Sequence, residues 1–267
     1  MSWIPLPKRR PLLDRDARLQ VHWAAQVPAA IGDRMIPKRE DWSHSALSWQ
    51  SEQRAFVSEA AGARSAALFV DELTVAYLEG DQERDRYPLD GSTLIKGLEW
   101  LSAKVGQTLG LSELTIPEHE VKTRARPFSV SAEQLRTVGD LFSNAYELCV
   151  KVKADDPRAG PIRVWPHHFD VATLIMIDPH RSVEDARSMG VGFSPGDDSY
   201  DEPYLYVTPW PYPDARRLPD LAGPGHWHTD GWIGGVLELS DLPADAHAGD
   251  LAENFLRTYS QAAESLL

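Results

Sequence analysis

The sequence echoes itself at a spacing of 123 residues, and such a chain is constrained to build one unit twice. Trp165 and His167, in the run Trp165-Pro166-His167-His168-Phe169-Asp170, fall on Trp42 and His44 at that offset. Phe142, Tyr146 and Val150 fall on Leu19, Trp23 and Val27. The expected fold class is therefore α+β: two similar helix–antiparallel sheet–helix halves forming a pseudo-dimer in one chain. Residues 1–16 read as an extended arm and 17–117 as the first repeat. Residues 118–130 read as a linker and 131–267 as the second repeat, which carries the candidate site. Chance similarity between two amphipathic helices is the competing explanation.

Local patterns fill in the halves. Leu19, Trp23, Val27, Ile31 and Met35 recur every fourth residue, one face of a helix, and Pro28 is expected to kink or split it. Ala66–Val70 and Leu73–Leu78 read as strands joined at Asp71-Glu72. The charged stretch Gly80 to Asp90 reads as a loop. Ser92 is the expected N-cap of a helix with Leu94, Leu98, Leu101, Val105 and Leu109 on its buried stripe, stopped by Gly110. A short strand is expected at Leu114–Ile116. Ser131 with Gln134 forms a capping box ahead of the stripe Leu135, Val138, Phe142, Ala145, Cys149 and Val152. Four strand segments follow, at 162–177, 189–193, 204–208 and 232–239. Pro209, Pro211 and Pro213 mark extended chain outside a central strand. A last helix is expected to open at Asp250, with Glu253 completing its capping box. Short, alternating strands joined by short loops favour antiparallel pairing.

Composition narrows the function. The 267 residues carry a net charge of −13, which disfavours a nucleic-acid partner. The basic run Lys8-Arg9-Arg10 reads as part of a solvated arm. Cys149 is the single cysteine, so an intrachain disulfide and a cysteine metal cage are excluded. With no apolar run of membrane-spanning length and no signal-peptide pattern, a soluble cytoplasmic protein with no membrane contact is expected. No nucleotide-cofactor motif and no Gly-x-Ser-x-Gly is present.

The residues that could carry chemistry cluster in the second half. On a strand, His168 and Asp170 share one face, the His-x-Asp spacing that supplies two legs of a 2-His-1-carboxylate metal site. His226 and His228 offer distal ligands, so His168, Asp170, His226 and His228 form the candidate set for a divalent metal such as iron, zinc or manganese. A structural His–Asp hydrogen-bonded pair is the alternative. Within the acidic stretch Asp197-Asp198-Ser199-Tyr200-Asp201-Glu202, Glu202 borders an aromatic strand, where it could act as a base; Asp170 is the other candidate catalytic carboxylate. Trp165, His167, Tyr206 and Trp232 are candidate ligand-binding residues, amphipathic side chains suited to a small-molecule pocket. Cys149 falls on a buried stripe and is not expected to be a reactive thiolate.

Phe169-Asp170-Val171-Ala172, the turn Gly192-Phe193-Ser194-Pro195-Gly196, and Glu202-Pro203 before an aromatic strand and Pro211 carry a resemblance. Together they resemble an uncharacterised bacterial domain-of-unknown-function family, most specifically over residues 165–240. The resemblance implies no activity. Asp170, Pro195, Gly196 and Glu202 carry it; His167 and His168 have no placed counterpart. The functional expectation is a small-molecule-binding protein, with a metal-dependent enzyme as its catalytic version. The alternative is a non-catalytic binding or assembly module in which the same cluster is structural; a third is an aromatic, acidic surface that docks a protein.

Overall fold

The computed structural model describes residues 3–123, 125–181, 185–245 and 247–267. The chain is a mixed α+β protein whose sheets are antiparallel, and it divides into two compact units. The first comprises Leu13–Gly139 and Arg163–Phe169, the second residues 1–12, Asp140–Ile162 and Asp170–Leu267. Among the described residues no helix is long and apolar enough to cross a membrane.

In the first unit α1 (Arg15–Met35) runs unbroken through Pro28. Every residue from Ala17 to Gly32 is buried. That packing outweighs the loss of about 3 kcal/mol that an interior proline brings. The helix is neither split nor ended where the sequence pattern placed a break. Gly32 is required by contact: a Cβ there would come within 2.0 Å of the His44 carbonyl. An antiparallel meander follows: β1 (Leu47–Gln50), β2 (Ala55–Ser58), β3 (Arg64–Phe69), β4 (Thr74–Glu79) and β5 (Gln82–Pro88).

β5 corrects the loop expected at 80–90. It is a charged edge strand, the form that resists pairing with another chain. Arg86 pairs with Glu83 and Glu72, Arg84 with Glu79, and Asp85 with Lys104. α2 (Leu94–Val105) is capped by Thr93, one residue after the expected Ser92, and stops at Gly106 in the left-handed region rather than at Gly110. Ser92 instead bonds Tyr87. Residues 114–116 form no strand. α3 (Ala132–Asp155) contributes Ala132–Gly139 here, and Ser131 accepts from the Gln134 amide as expected. β6 (Arg163–Trp165) pairs with β1.

The second unit orders its strands β7 (Asp170–Met176), β8 (Ser188–Ser194), β9 (Tyr204–Trp210), β11 (Gly234–Glu238) and β10 (His226–His228), with β10 on the edge. The expected segment 162–177 is two strands, interrupted by a turn at 166–169. β9 extends through Pro209, which the sequence pattern had excluded. β11 pairs only as far as Val207, so Pro209 faces β8 alone and its missing N–H breaks no ladder on the other side. α4 (His247–Leu266) begins three residues before Asp250 and buries Ala248, Ala252, Phe255, Leu256, Tyr259 and Ala263. Its start is held by Asp245, which accepts from the His247 amide.

The N-terminal arm is not free in solvent. Leu6 and Leu12 are buried. Ile4 exchanges two hydrogen bonds with Asn144, and the Leu12 amide donates to Glu202.

Candidate functional site

Cross-strand register fixes which side chains share a face of the second sheet. Val171, Phe193, Leu205 and Leu237 form one row, and Thr173, Val191, Val207 and Gly235 the next. The helices pack on this face. Phe142 of α3 meets Phe193 edge-on at 5.5 Å, and Tyr259 of α4 lies so close over Gly235 that a Cβ would come within 2.1 Å of its ring.

The opposite face holds a different set. Ala172, Gly192, Tyr206, Val236 and His226 make one row, and Leu174, Gly190, Thr208, Gly234 and His228 another. Ser194, Tyr204 and Glu238 form a third, at the end where Asp170 starts β7. Trp210 projects at the far end and is 44% exposed. Glycines let rings lie over this sheet. A Cβ on Gly192 would come within 2.9 Å of the Tyr206 hydroxyl, and one on Gly234 within 2.6 Å of the Trp232 ring.

Two clusters result. In the first, Tyr206 reaches over β8 and donates its hydroxyl to the buried carboxylate of Asp170. Burial and the Asp170 charge push the Tyr206 phenol well above its ordinary range, so it stays a donor. In the second, the Tyr200 hydroxyl lies 3.1 Å from His226 Nε2 and 2.8 Å from His228 Nδ1. His228 Nε2 lies 2.7 Å from the Asp230 carbonyl, which can only accept. The network therefore assigns the protons: His228 donates from Nε2, its Nδ1 accepts from Tyr200, and Tyr200 accepts from His226. Trp232 stacks on His228 at 4.2 Å, and Tyr204 lies 4.9 Å from Tyr200. Burial, then Glu238 and Asp197, raise the Tyr200 phenol above its ordinary range. Asp197 also accepts from the Tyr204 hydroxyl.

The remaining predicted site residues lie elsewhere. Glu202 accepts from the Leu12 amide and pins the arm. Trp165, His167 and His168 belong to the first unit. Arg163 sits over the Trp165 ring at 5.8 Å. His167 borders a cavity of about 10 Å³ with Gln26, Asp33 and Ser45, room for about one water. Burial, then His168, hold His167 down at about 4. The turn around them is architectural. The Pro166 carbonyl lies 2.8 Å from His22 Nε2 and accepts from Gln26, and Phe169, at φ 60°, stacks on His22 at 4.9 Å. His22 is neutral, held down at about 3 mainly by burial.

The proposed metal set is dispersed. Asp170 on β7 and His226 and His228 on β10 stand four strand spacings apart, about 19 Å at the usual ~4.8 Å between strands. His168 is in the other unit. Among the described residues, no group of three or more His, Cys, Asp or Glu side chains is placed to hold a metal ion. Cys149 is buried and its thiol is pushed up to about 12, first by burial and then by Asp170, as an inert core thiol should be. Tyr200 is the member that sequence reasoning missed: it sits in an acidic loop, and only the return of β10 brings both histidines to it. In comparisons with protein-family models, curated proteins and solved structures, nothing matches this chain.

Proposed function

We propose that this is a small-molecule-binding protein that takes a small organic cation on the helix-free face of the second sheet. The observation carrying the proposal is the half-exposed Tyr200–His226–His228–Trp232 cluster, with Tyr204, Asp197 and Glu238 beside it. Aromatic faces attract cations through their quadrupole, each contact worth about 0.5–2 kcal/mol. The charge beside the cluster favours the same ligand: the carboxylates of Glu238 and Asp197 both act on Tyr200. A phenol held above its ordinary range serves as a donor rather than a base, which supports binding over proton transfer.

Calorimetric titration with choline, and with its uncharged isostere 3,3-dimethylbutanol, tests this. Saturable binding of choline alone is expected. Trp232→Ala and Glu238→Gln should each weaken it about 5- to 30-fold, in line with one or two lost cation contacts. Equal binding of the neutral isostere, or no saturable binding, would overturn the proposal. A second reading is favoured by the way Tyr200, His226 and His228 already satisfy one another: the cluster is a structural network holding β10 to the sheet. It predicts that Tyr200→Phe lowers Tm and that choline binds neither protein.

We also infer that the two units are copies of one fold joined as a pseudo-dimer. Each runs from a long helix through an antiparallel sheet to a second helix. Along the sequence the Trp-x-His element precedes a strand by the same distance in both places, Trp42 ahead of Leu47 and Trp165 ahead of Asp170, with both elements packed in the first unit. The Trp and His rings are adjacent in each, with centroids 5.6 and 6.1 Å apart.

A further inference from the structure

The Tyr200 cluster turns its hydrogen-bonding groups on one another. Tyr200 accepts from His226 Nε2 and donates to His228 Nδ1, while His228 Nε2 donates to the Asp230 carbonyl. The second nitrogen of His226 points away from Tyr200, because the two nitrogens of an imidazole diverge around the ring. Both Asp197 oxygens are engaged, Oδ1 by the amides of Ser199 and Tyr200 and Oδ2 by the Tyr204 hydroxyl. Of these groups, Glu238 is the acceptor left for a ligand, and its charge acts on Tyr200.

What the cluster offers instead is ring surface. Trp232 and His228 stack with centroids 4.2 Å apart, and Tyr200 lies 5.4 Å from His228 and 4.9 Å from Tyr204. Tyr200, His228, Trp232 and Glu238 are all half-buried, so rings and carboxylate stay within reach of solvent. A primary ammonium carries three N–H donors, and it would give up water for a cluster with one carboxylate to receive them. An N–H left without an acceptor in such a site weakens binding. A fully alkylated ammonium has no N–H to satisfy, and its charge is spread over methyl groups that rest directly on ring faces.

We infer that this site selects fully alkylated ammonium groups over amines that carry N–H. The inference rests on the reading of the cluster as a cation site and names the chemical class of its ligand.

Calorimetric titration of the full chain with ethanolamine, N-methylethanolamine, N,N-dimethylethanolamine and choline tests it, at neutral pH where all four are cations. Charge and hydroxyl are constant along the series, and each step replaces one N–H by a methyl group. Affinity is expected to rise along the series and to be about tenfold or more higher for choline than for ethanolamine. Trp232→Ala should bring that ratio below about threefold, since it removes ring surface and leaves Glu238 in place. Trp232→Phe keeps a ring and should keep most of the discrimination. Equal affinity for all four amines, or a ratio that Trp232→Ala leaves unchanged, would overturn the inference while the cation site stands. No saturable binding by any of the four would overturn the cation site and the inference with it.

Discussion

The two units solve one packing problem and leave different surfaces behind. In the first, Trp49, Phe56, Leu68, Val75 and Tyr87 form the row beneath the helices, with Tyr87 stacked on Trp100 of α2. The reverse face of that sheet carries Ser48, Val57, Ala67, Ala76 and Arg86 in register. In the second, the reverse face carries Asp170, Tyr204, Tyr206, His226, His228 and Glu238. Both sheets bury an apolar face, but the reverse face of the first carries a single cation over a single ring, Arg86 over Phe69 at 4.4 Å, where the second gathers carboxylates, phenols and imidazoles. The first unit puts its buried polar groups beneath the helices: His22 and Gln26 of α1 both serve the Pro166 carbonyl. Buried polar groups lie beneath the helices in the first unit and on the reverse face, as Asp170 and Tyr204, in the second.

The largest effect that would break this contrast is Gly192→Val. Its Cβ would meet the Val171 carbonyl at 2.5 Å and the Tyr206 hydroxyl at 2.9 Å, so strand or ring must shift. A loss of about 3 kcal/mol in urea unfolding is expected, at the upper end of overpacking costs. In the first unit, His22 sets a pH dependence. It binds a proton near 6.5 when unfolded and near 3 when folded, so its contribution is complete above pH 6.5 and lost as pH falls towards 3. At pH 5 the loss is roughly 2 kcal/mol, at about 1.4 kcal/mol per pH unit. The difference in stability between wild type and His22→Gln should shrink by that amount between pH 7.5 and 5; a constant difference would contradict the assignment. Tyr206→Phe removes the donor to the Asp170 carboxylate and should cost about 1.5–3 kcal/mol by the same unfolding measurement. Smallest is Arg86→Ala on the exposed edge of the first sheet, expected to cost under about 1 kcal/mol, since its ion pairs are solvent-exposed.

The elements legible in the sequence were those with strong period. The α3 stripe from Leu135 to Cys149 was readable from spacing alone, as were the strands β3, β4, β8 and β11. β5 was hidden because charge on an edge strand keeps other chains from pairing with it, and Gln82-Glu83-Arg84-Asp85-Arg86 has the composition of a loop. β10 was hidden because three residues, two of them histidine, carry no pattern. Pro28 misled because propensity is local, whereas α1 is held by packing along nearly its whole length.

The site was legible only as an inventory. Asp170, Tyr206, Trp232, His226 and His228 were all selected from sequence, yet grouping them needs register. The strand order sets Asp170 with Tyr206 and both histidines with Tyr200, and it separates the carboxylate from the imidazoles by three intervening strands. Glu202 was selected for its place beside an aromatic strand, and its carboxylate is used to hold the arm.

The contrast between the two reverse faces can be read in one experiment. Amide and aromatic chemical shifts of the full chain, followed during titration with choline, report both sheets at once. The account predicts saturable shifts at Tyr200, His226, His228 and Trp232, with Val57, Phe69 and Leu78 of the first sheet unmoved. Shifts confined to the first sheet, or equal on both, would contradict it.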